Sequence, residues 1–464
     1  MTTVPPGYTL VVGLGVSGLA IARHLARRGE PFMMADTRAE PPGLADLHRA
    51  FPDVAVHTGP LTELDMAEAS ELVLSPGVDP LTPGIADYWR ATLAGHADVP
   101  RVVGEIALFV RDCPGRIAAI TGSNAKSTVT TLLGEMAAEA GRRVAVGGNL
   151  GTPALDLLAR QPEAELFVLE LSSFQLETTP DLGAACVAFL NLSEDHLDRH
   201  GDMAGYQAAK RAIFRGATHA VVNAEDPWTW PAAPLSSQAR FTTRPPQGDD
   251  WGIAPGPDGS PWLMHGETPL MATGEMRLAG RHNQANALAA LAMGTYLGLE
   301  GAAMRRVLAR FSGLPHRGEL VAEADGIRWI NDSKGTNVGA TLAAIAGLGP
   351  TLTGRLVWLG GGVGKGADFT PLAAPLARHA REAIVFGADA ERLAQALTGQ
   401  VTVTRCTTLA EALERAAAIA EPGDCILLSP ACASLDQFTD YRARGEAFRA
   451  AAQAYCASGA EGRP

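Results

Sequence analysis

The stretch Ile117-Ala-Ala-Ile-Thr-Gly-Ser-Asn-Ala-Lys-Ser-Thr128 is the most informative part of this 464-residue chain. An apolar strand leads through a turn of small residues into a segment that opens on a lysine and two hydroxyl residues. A helix N-terminus with its backbone N–H groups, a lysine and a hydroxyl for Mg²⁺ are the parts of a nucleotide-phosphate site. The strict motif has glycines where this chain has Ile120 and Ala125. The stretch alone therefore leaves both ATP binding and an ordinary strand-to-helix turn open.

The same strand-then-helix pattern continues on both sides of this stretch. Apolar strands alternate with Ala- and Leu-rich helical segments, which predicts an α/β fold with parallel sheets and helical crossovers. The length suggests roughly three domains. We place them at residues 1–103, 104–313 and 314–464, the last boundary lying at Gly313-Leu-Pro315. Residues 231–275 are rich in Pro, Gly, Asp and Trp, and we expect hairpins and loops on the surface of the second domain there.

Composition excludes several classes of protein. A net charge of −12 and a pI near 5.4 argue against binding to nucleic acid or to an anionic membrane. No apolar run approaches the ~18 residues that a membrane span needs. The N-terminus does not have the form of a signal peptide, so we expect a cytoplasmic protein. The six cysteines show no zinc spacing, and we interpret them as reduced and structural.

The first domain has a motif that favours a different ligand. Gly13-Leu-Gly-Val-Ser-Gly18 completes the G-x-G-x-x-G pattern between a strand and a helix, and Asp36 ends the next strand, where a ribose-binding acid is expected. Taken alone, this domain favours an NAD site, and a site for another nucleotide or a structural glycine turn are the alternatives.

Charged residues of the second domain follow the ends of its strands. Glu170 ends a strand that starts at Leu166, and Asn191-Leu-Ser-Glu-Asp-His196-Leu-Asp-Arg-His200 follows the next. Ligands of open parallel sheets bind at the carboxyl ends of strands, and a carboxylate there can hold Mg²⁺. A loop of this kind is more often merely solvated, but its expected position beside Lys126 and Glu170 favours a function.

Nine motifs, in order along nearly the whole chain, resemble those of the Mur ligases. They are Gly122-Ser-Asn-Ala-Lys-Ser-Thr128, Gly148-Asn-Leu-Gly151, Glu170-Leu-Ser-Ser-Phe-Gln-Leu-Glu177, Asn191-Leu-Ser-Glu-Asp-His196, Tyr206-Gln-Ala-Ala-Lys210, His282-Asn-Gln-Ala-Asn286, Leu314-Pro-His-Arg317, Asn331-Asp-Ser-Lys-Gly-Thr-Asn337 and Leu428-Ser-Pro-Ala-Cys-Ala-Ser-Leu-Asp-Gln-Phe438. The last two and the Gly13–Gly18 turn are most similar to the family member that adds glutamate to UDP-N-acetylmuramoyl-L-alanine.

The resemblance implies a Rossmann-like N-terminal domain, a central P-loop ATPase-like domain and a Rossmann-like C-terminal domain. It implies ATP-dependent addition of D-glutamate to UDP-N-acetylmuramoyl-L-alanine through an acyl phosphate, in peptidoglycan precursor synthesis. The first domain would hold the UDP of this substrate instead of NAD. Two Mg²⁺ ions and a CO2-derived carbamate on Lys210 would take part. We expect a monomer whose third domain closes over the bound substrates.

The same resemblance implies roles for individual residues. The catalytic residues would be Lys126, Glu170, His196 and Lys210. Metal would be held by Ser127, Thr128, Glu170, His196 and carbamylated Lys210. ATP would contact Gly122, Ser123, Asn124, Ala125, Lys126, Ser127, Thr128, Asn283, Asn286, Arg317 and Asp332. The UDP-substrate would contact Val16, Ser17, Asp36, Thr37, Ser75 and Asn149. Glutamate would contact Lys334, Thr336, Lys365, Ser434 and Tyr441.

Three residues depart from the family pattern. Ala125 replaces a glycine of the phosphate loop, and a Cβ at positive φ costs roughly 1–2 kcal/mol. We therefore expect a weakened affinity for ATP. Gly335 replaces a residue that is usually alanine, and Tyr441 stands where phenylalanine is expected; we interpret both as tolerated. From its local sequence alone, Gly360-Gly-Gly-Val-Gly-Lys365 also qualifies as a phosphate loop.

Overall fold

Three β-sheets organise the computed structural model, which describes residues 7–278 and 280–459. The first sheet has five parallel strands in the order β3-β2-β1-β4-β5. Its strands are β1 (Thr9–Val12), β2 (Phe32–Asp36), β3 (Val56–Thr58), β4 (Glu71–Leu74) and β5 (Arg101–Gly104). The helices of this part of the chain are α1 (Val16–Arg28), α2 (Leu44–Ala50), α3 (Ala86–Ala94) and α4 (Glu105–Asp112).

The central sheet has nine strands in the order β14-β13-β12-β11-β10-β9-β6-β8-β7. Its strands are β6 (Arg116–Thr121), β7 (Val144–Gly148), β8 (Leu166–Glu170), β9 (Cys186–Phe189), β10 (His219–Asn223), β11 (Gln238–Phe241), β12 (Trp251–Pro255), β13 (Pro261–His265) and β14 (Thr268–Ala272). The helices are α5 (Lys126–Glu139), α6 (Ala154–Arg160), α7 (Ser173–Glu177), α8 (Leu197–His200), α9 (Met203–Arg211), α10 (Arg281–Tyr296) and α11 (Gly301–Arg310).

The segment 231–275 contains the expected hairpins, but they do not form a separate surface feature. Strand β11 pairs parallel to β10, and β12 to β14 continue the same sheet as an antiparallel meander. The alternation of apolar and polar residues is weak in these short strands, so their membership of the central sheet was not predicted.

The third sheet has six strands in the order β15-β16-β20-β17-β18-β19, with β15 antiparallel at one edge. Its strands are β15 (Glu319–Ala324), β16 (Ile327–Asn331), β17 (Leu356–Gly361), β18 (Ala380–Phe386), β19 (Val403–Arg405) and β20 (Cys425–Leu428). The helices are α12 (Val338–Leu348), α13 (Ala373–His379), α14 (Ala390–Leu397), α15 (Leu409–Ile419) and α16 (Tyr441–Gly459). The α/β class with three parallel or mixed sheets is therefore confirmed.

The apolar cores show how the sheets are joined. One cluster of buried side chains runs from the first sheet into the central one and includes Leu25, Phe109 and Phe167. The third sheet instead has an apolar cluster on each of its two faces, built around Trp358 and Trp329. Burial of apolar surface therefore fixes the first sheet on the central one, whereas the third sheet has cores of its own.

Candidate active site

The phosphate loop lies between β6 and α5, at the carboxyl edge of the central sheet. Ala125 precedes the helix with φ 65° and ψ −5°, in the left-handed region that favours glycine. The positive φ on which the strain argument rests is thus present. Asn191 holds the loop in place, since its side chain accepts from the Asn124 N–H at 2.8 Å and donates to the Asn124 carbonyl at 3.1 Å.

Lys126 folds back over its own loop. Its Nζ donates to the carbonyl oxygens of Gly122 and Ser123, at 2.8 Å each. Burial lowers the pKa of Lys126, and the charges of Glu170 and Asp195 act in the opposite direction. A lysine held in this way presents a positive charge at the loop, as a phosphate-binding lysine must.

Glu170, at the end of β8, is hydrogen-bonded to two polar side chains. Its carboxylate accepts hydrogen bonds from the Ser127 hydroxyl and from Asn149 Nδ2, the latter at 2.7 Å. Burial acts to raise the pKa of Glu170, but the charge of Lys126 and these hydrogen bonds outweigh it and the pKa is lowered. Glu170 is therefore an ionised carboxylate, 3% exposed, beside a hydroxyl of the phosphate loop.

Lys210 reaches the same loop from helix α9. It is 1% exposed, its Nζ donates to the Gly122 carbonyl at 2.9 Å, and it lies 4.7 Å from the centre of the Tyr206 ring. Burial, reinforced by the nearby charge of Lys126, lowers the pKa of Lys210 well below its ordinary value. Lys126 and Lys210 thus share one carbonyl oxygen as acceptor, and Lys210 is a buried lysine of the phosphate loop's surroundings.

The loop that follows β9 delivers Asp195 and His196 to this edge. His196 has φ 54°, contacts the Phe174 ring edge-on at 4.9 Å, and has a pKa lowered by burial. His200 is different, since it stacks on Tyr206 and lies 2.9 Å from the Ser173 hydroxyl. Burial lowers the pKa of His200 to about 4, which fits a neutral structural imidazole.

A cleft of about 430 Å³ separates this loop from the third sheet. His196 lines one side of it, and Thr336 and Lys365 line the other. The Lys365 ammonium lies 3.3 Å from an Asp195 carboxylate oxygen, so an ion pair crosses the cleft. Burial acts to raise the pKa of Asp195, but the Lys365 charge is the main effect that lowers it overall.

Polar contacts join the third sheet directly to the phosphate loop. Arg317 Nη2 donates to the Ser127 hydroxyl at 2.6 Å, and Asn337 Nδ2 donates to Asn124 Oδ1 at 3.2 Å. Burial raises the pKa of Asp332 to about 6, while the Ser429 hydroxyl donates to it at 2.7 Å. A Cβ on Gly335 would lie 2.6 Å from Asp332 Oδ2, so the glycine leaves room for this bond.

The other residues expected at the glutamate pocket lie beyond the residues that line the cleft. Lys334 Nζ lies 4.2 Å from the centre of the Tyr441 ring, a cation–π contact that phenylalanine would preserve. Burial lowers the pKa of Lys334 to about 8. Ser434 is buried, and its carbonyl accepts from the Phe438 N–H at 2.9 Å.

The loop from Gly360 to Gly366 lacks the geometry of a phosphate loop. It follows β17, but the next helical residues begin only at Thr370. The Gly364 N–H, which would have to face a phosphate, donates to the Asp389 carboxylate at 2.6 Å. The alternative interpretation of this motif is therefore wrong, and Lys365 belongs to the cleft.

Five of the six residues expected to bind the UDP-substrate lie in the first domain, and they fall into two groups. Asp36 and Ser75 are buried and bind their own domain: the Leu14 N–H and Arg38 donate to the Asp36 carboxylate, and Ser75 Oγ donates to the Gly13 carbonyl at 2.8 Å. Val16 and Thr37 are exposed, and Ser17 is half-buried. The buried pair holds the glycine turn in shape, and the second group is accessible to a ligand.

Asn283 and Asn286 lie in the first turns of α10, the helix that packs against α5. Asn286 Nδ2 donates to Asn283 Oδ1 at 3.3 Å. This position beside the phosphate-loop helix is compatible with the predicted contact to ATP, which stays a prediction.

Three residues for which the sequence indicates no role also lie here. Asp195 and Asn337 were quoted within motifs, yet their contacts across the cleft depend on how two domains meet. Arg444, fully buried on α16, donates to Ser333, Gly361 and Cys432 and so joins three loops of the third sheet. The chain also has only four lysines, and Lys126, Lys210, Lys334 and Lys365 all lie here. That scarcity is itself a signal in the sequence that the four lysines belong to one site.

Metal binding would depend on a mixed set of donors. Within residues 7–278 and 280–459, no group of three or more His, Cys, Asp or Glu side chains is placed to hold a metal ion by itself. The Glu170 carboxylate and the Ser127 hydroxyl are nevertheless hard oxygen donors of the type that Mg²⁺ takes together with substrate phosphates. These residues fit such an ion.

The fold and the site define a phosphate-loop nucleotide enzyme assembled from three α/β units. Comparison with known families matches residues 7–94 to the MurD-like N-terminal domain of Mur ligases, residues 120–294 to the Mur ligase middle domain, and residues 316–432 to the Mur ligase glutamate ligase domain. The chain belongs to the Mur ligase family, whose members are ATP-dependent enzymes that form amide bonds.

Two curated relatives extend the match over nearly the whole chain. The UDP-N-acetylmuramoylalanine--D-glutamate ligase of Chromohalobacter salexigens is 68% identical over 449 residues, covering 97% of this chain and 98% of the relative. The ligase of the same name from Pseudomonas aeruginosa is 49% identical over 447 residues, covering 96% and 98%.

Solved structures show the same fold at low identity. The UDP-N-acetylmuramate-alanine ligase of Thermotoga maritima has a TM-score of 0.60 at 17% identity, covering 96% of this chain and 99% of the other. A pseudomurein peptide ligase type C from Methanothermus fervidus has a TM-score of 0.54 at 18% identity, covering 91% and 96%. No described helix of the present chain is long and apolar enough to span a membrane.

Proposed function

We propose that this chain joins D-glutamate to UDP-N-acetylmuramoyl-L-alanine at the expense of ATP, as a monomeric cytoplasmic enzyme of peptidoglycan precursor synthesis. One observation carries the proposal. The phosphate loop, Glu170 and Lys210 meet around Ser127 and the Gly122 carbonyl. Asn337, which lines the cleft together with Lys365 and Thr336, donates to Asn124 of the same loop. The relatives that match nearly the full chain bear the corresponding name.

The reaction would proceed in two steps. The alanyl carboxylate attacks the γ-phosphorus of ATP, ADP leaves, and an acyl phosphate forms. The amine of glutamate then attacks the acyl carbon, phosphate leaves with one former carboxylate oxygen, and the amine loses a proton. Both steps gather negative charge, so preorganised cations supply most of the catalysis. Lys126, bonded to the Gly122 carbonyl, and Arg317, bonded to the Ser127 hydroxyl, would hold phosphoryl oxygens at the loop.

Magnesium would be shared between protein and phosphate. The Ser127 and Thr128 hydroxyls and Glu170 would hold a first ion, and His196 with carbamylated Lys210 would hold a second. When bound, the ions would neutralise phosphoryl oxygens as charge moves onto the leaving group. The low pKa of His196 keeps its imidazole neutral, which is the form that ligates a metal.

Carbamylation of Lys210 is supported by its surroundings. The reaction needs a neutral amine, which adds to CO2 to give N–COO⁻ and releases one proton. Burial and the charge of Lys126 favour the neutral amine of Lys210. The product is a carboxylate, which Lys126 stabilises and which offers oxygen atoms to Mg²⁺.

The two outer domains would hold the other substrates. Val16, Ser17 and Thr37 are accessible at the carboxyl edge of the first sheet, where UDP would bind with Asp36, Ser75 and Asn149 shaping the site. Lys365 and Thr336 line the cleft, and Lys334, Ser434 and Tyr441 complete the proposed glutamate pocket. A dicarboxylic amino acid requires cations and hydroxyls of this kind.

A phosphate-release assay tests the proposal. ATP, Mg²⁺ and UDP-N-acetylmuramoyl-L-alanine should release phosphate when D-glutamate is added, and much less with L-glutamate or other amino acids. Lys126→Ala and Glu170→Ala should abolish release while the proteins stay folded. Arg378→Ala, which removes an exposed cation of α13, is the matched control and should keep full activity. Release that does not depend on D-glutamate would overturn the proposal.

A further inference from the structure

One buried carboxyl group has no part in the chemistry described so far. Glu105 is the first residue of α4, directly after β5, and is 2% exposed. Its Oε1 accepts from the Leu155 N–H at 3.3 Å. Its Oε2 has no hydrogen-bond partner within the part of the chain that the structure describes. An unsatisfied buried oxygen is costly, so the arrangement calls for an explanation.

Glu105 lies where three helices meet. The Ser17 hydroxyl, in the first turn of α1 beside the glycine turn, faces the carboxyl group from the first domain. The N–H groups of Ala154 and Leu155 face it from α6, the helix that follows the loop carrying Asn149. Two elements proposed to contact the UDP-substrate are thus connected through this one side chain.

The charges around Glu105 favour its neutral form. Burial raises the pKa of Glu105 to about 7, against the opposite effects of Leu155, Ser17 and Ala154. Asp156 on α6 adds a smaller effect in the same direction as burial, and Asp156 is itself paired with Arg23 of α1 at 2.5 Å. No direct cation partner of Glu105 occurs among the described ion pairs.

We propose that Glu105 is a positioning residue for the diphosphate of the UDP-substrate: as a neutral acid it donates its proton to the Ser17 oxygen, which directs the Ser17 proton to a diphosphate oxygen. The inference rests on the proposed function. A hydroxyl has one proton to donate. When Glu105 is ionised, its carboxylate competes with the diphosphate for that proton and also repels the ligand.

The sign of the pH dependence follows. Binding of the diphosphate favours the protonated form of Glu105. At a pH where Glu105 is partly ionised in the free enzyme, the substrate therefore binds with uptake of a proton. The affinity for the UDP-substrate does not depend on pH around pH 6. It falls as the pH rises above about 7, by up to about tenfold per pH unit. Glu105→Gln has a permanent donor in place of the acid. It should keep its affinity at high pH and bind more tightly than wild type at pH 8.5.

Titration calorimetry with UDP-N-acetylmuramoyl-L-alanine tests this without turnover. Wild type should lose affinity between pH 7 and pH 8.5, Glu105→Gln should not, and Ser17→Ala should bind more weakly than wild type at pH 6. A merely structural Glu105 predicts that Glu105→Gln is equal to or weaker than wild type at every pH. That result, or a wild-type pH profile retained in Glu105→Gln, overturns the inference.

A second readout needs no variant. Calorimetry of wild type in two buffers of different ionisation enthalpy counts the protons taken up. Uptake should be near zero at pH 6 and a clear fraction of one proton at pH 8, and its absence at pH 8 overturns the inference even if Glu105→Gln fails to fold. Binding without proton uptake defeats this inference and leaves the proposed function standing. No binding of the UDP-substrate at any pH defeats both.

Discussion

Ala125 has a Cβ in a backbone conformation that favours glycine, with φ 65°. Replacement by glycine removes a strain of roughly 1–2 kcal/mol. We expect Ala125→Gly to lower the KM for ATP by up to about tenfold, since about 1.4 kcal/mol corresponds to a factor of ten. The measurement is the KM for ATP at saturating UDP-substrate and glutamate.

The thermal unfolding midpoint of Ala125→Gly shows whether the strain acts on nucleotide binding or on the stability of the folded protein. A lower KM with an unchanged midpoint places the strain in nucleotide binding. An unchanged or higher KM for ATP would refute the proposed link between Ala125 and affinity. Gly141→Ala is a control, because Gly141 also has a positive φ, 77°, but lies after the C-terminal end of α5, away from the phosphate loop.

The four lysines make a second test unusually clear. All other basic side chains except histidine are arginines, which stay charged, whereas lysine can lose its charge when buried. We expect enzyme in CO2-free buffer to lose most of its activity and added bicarbonate to restore it. With ¹³C-bicarbonate, wild type should show one carbamate resonance that is absent in Lys210→Arg. Full activity without CO2, or a resonance that persists in Lys210→Arg, contradicts the carbamate.

At the scale of elements, helix α16 organises the third sheet through Arg444. Its guanidinium donates to the carbonyls of Ser333, Gly361 and Cys432 at 2.9–3.2 Å. A hydrogen bond that involves a charged group contributes about 1.5–3 kcal/mol. Arg444→Lys cannot keep all of them, so we expect the KM for D-glutamate to rise about tenfold or more. The KM for the UDP-substrate should change less than twofold.

Arg449→Lys is the control on the same helix, because Arg449 pairs with Glu319 instead of the three loops. It should leave the KM for glutamate unchanged. Equal effects on both substrates in Arg444→Lys would show that the arginine supports the fold in general and not the pocket.

Elements differ in how well the sequence predicts them. Strands β4 (Glu71–Leu74) and β20 (Cys425–Leu428) can be predicted closely, because short apolar runs between turn residues leave little choice. The short edge strands β3 and β19 are three residues each and half exposed, so their patterns carry little information.

The part of the site that follows β6, β8 and β9 could be predicted from the sequence. Parallel strands end at one edge, which brings the residues after β6, β8 and β9 together whatever the details of packing. The Asp195–Lys365 ion pair and the Arg444 contacts required knowledge of how loops and domains meet. Buried arginines and ion pairs across a cleft have no periodic signature in the sequence.

At the scale of the whole molecule, the first and central sheets share an apolar core, whereas polar contacts join the third sheet to the phosphate loop. We expect the third domain to move as a unit and to close on bound substrates. Small-angle scattering should show a smaller radius of gyration with a non-hydrolysable ATP analogue plus UDP-substrate than with UDP-substrate alone. An unchanged radius would count against closure.

The central claim is that carboxylate, triphosphate and amine react in one cleft through an acyl phosphate. UDP-N-acetylmuramoyl-L-alanine labelled with ¹⁸O in its alanyl carboxylate tests it most directly. After turnover with ATP and D-glutamate, mass spectrometry should find one ¹⁸O in each phosphate released and one amide formed per ADP. Phosphate without ¹⁸O, formed at the same rate as the amide, would contradict the account.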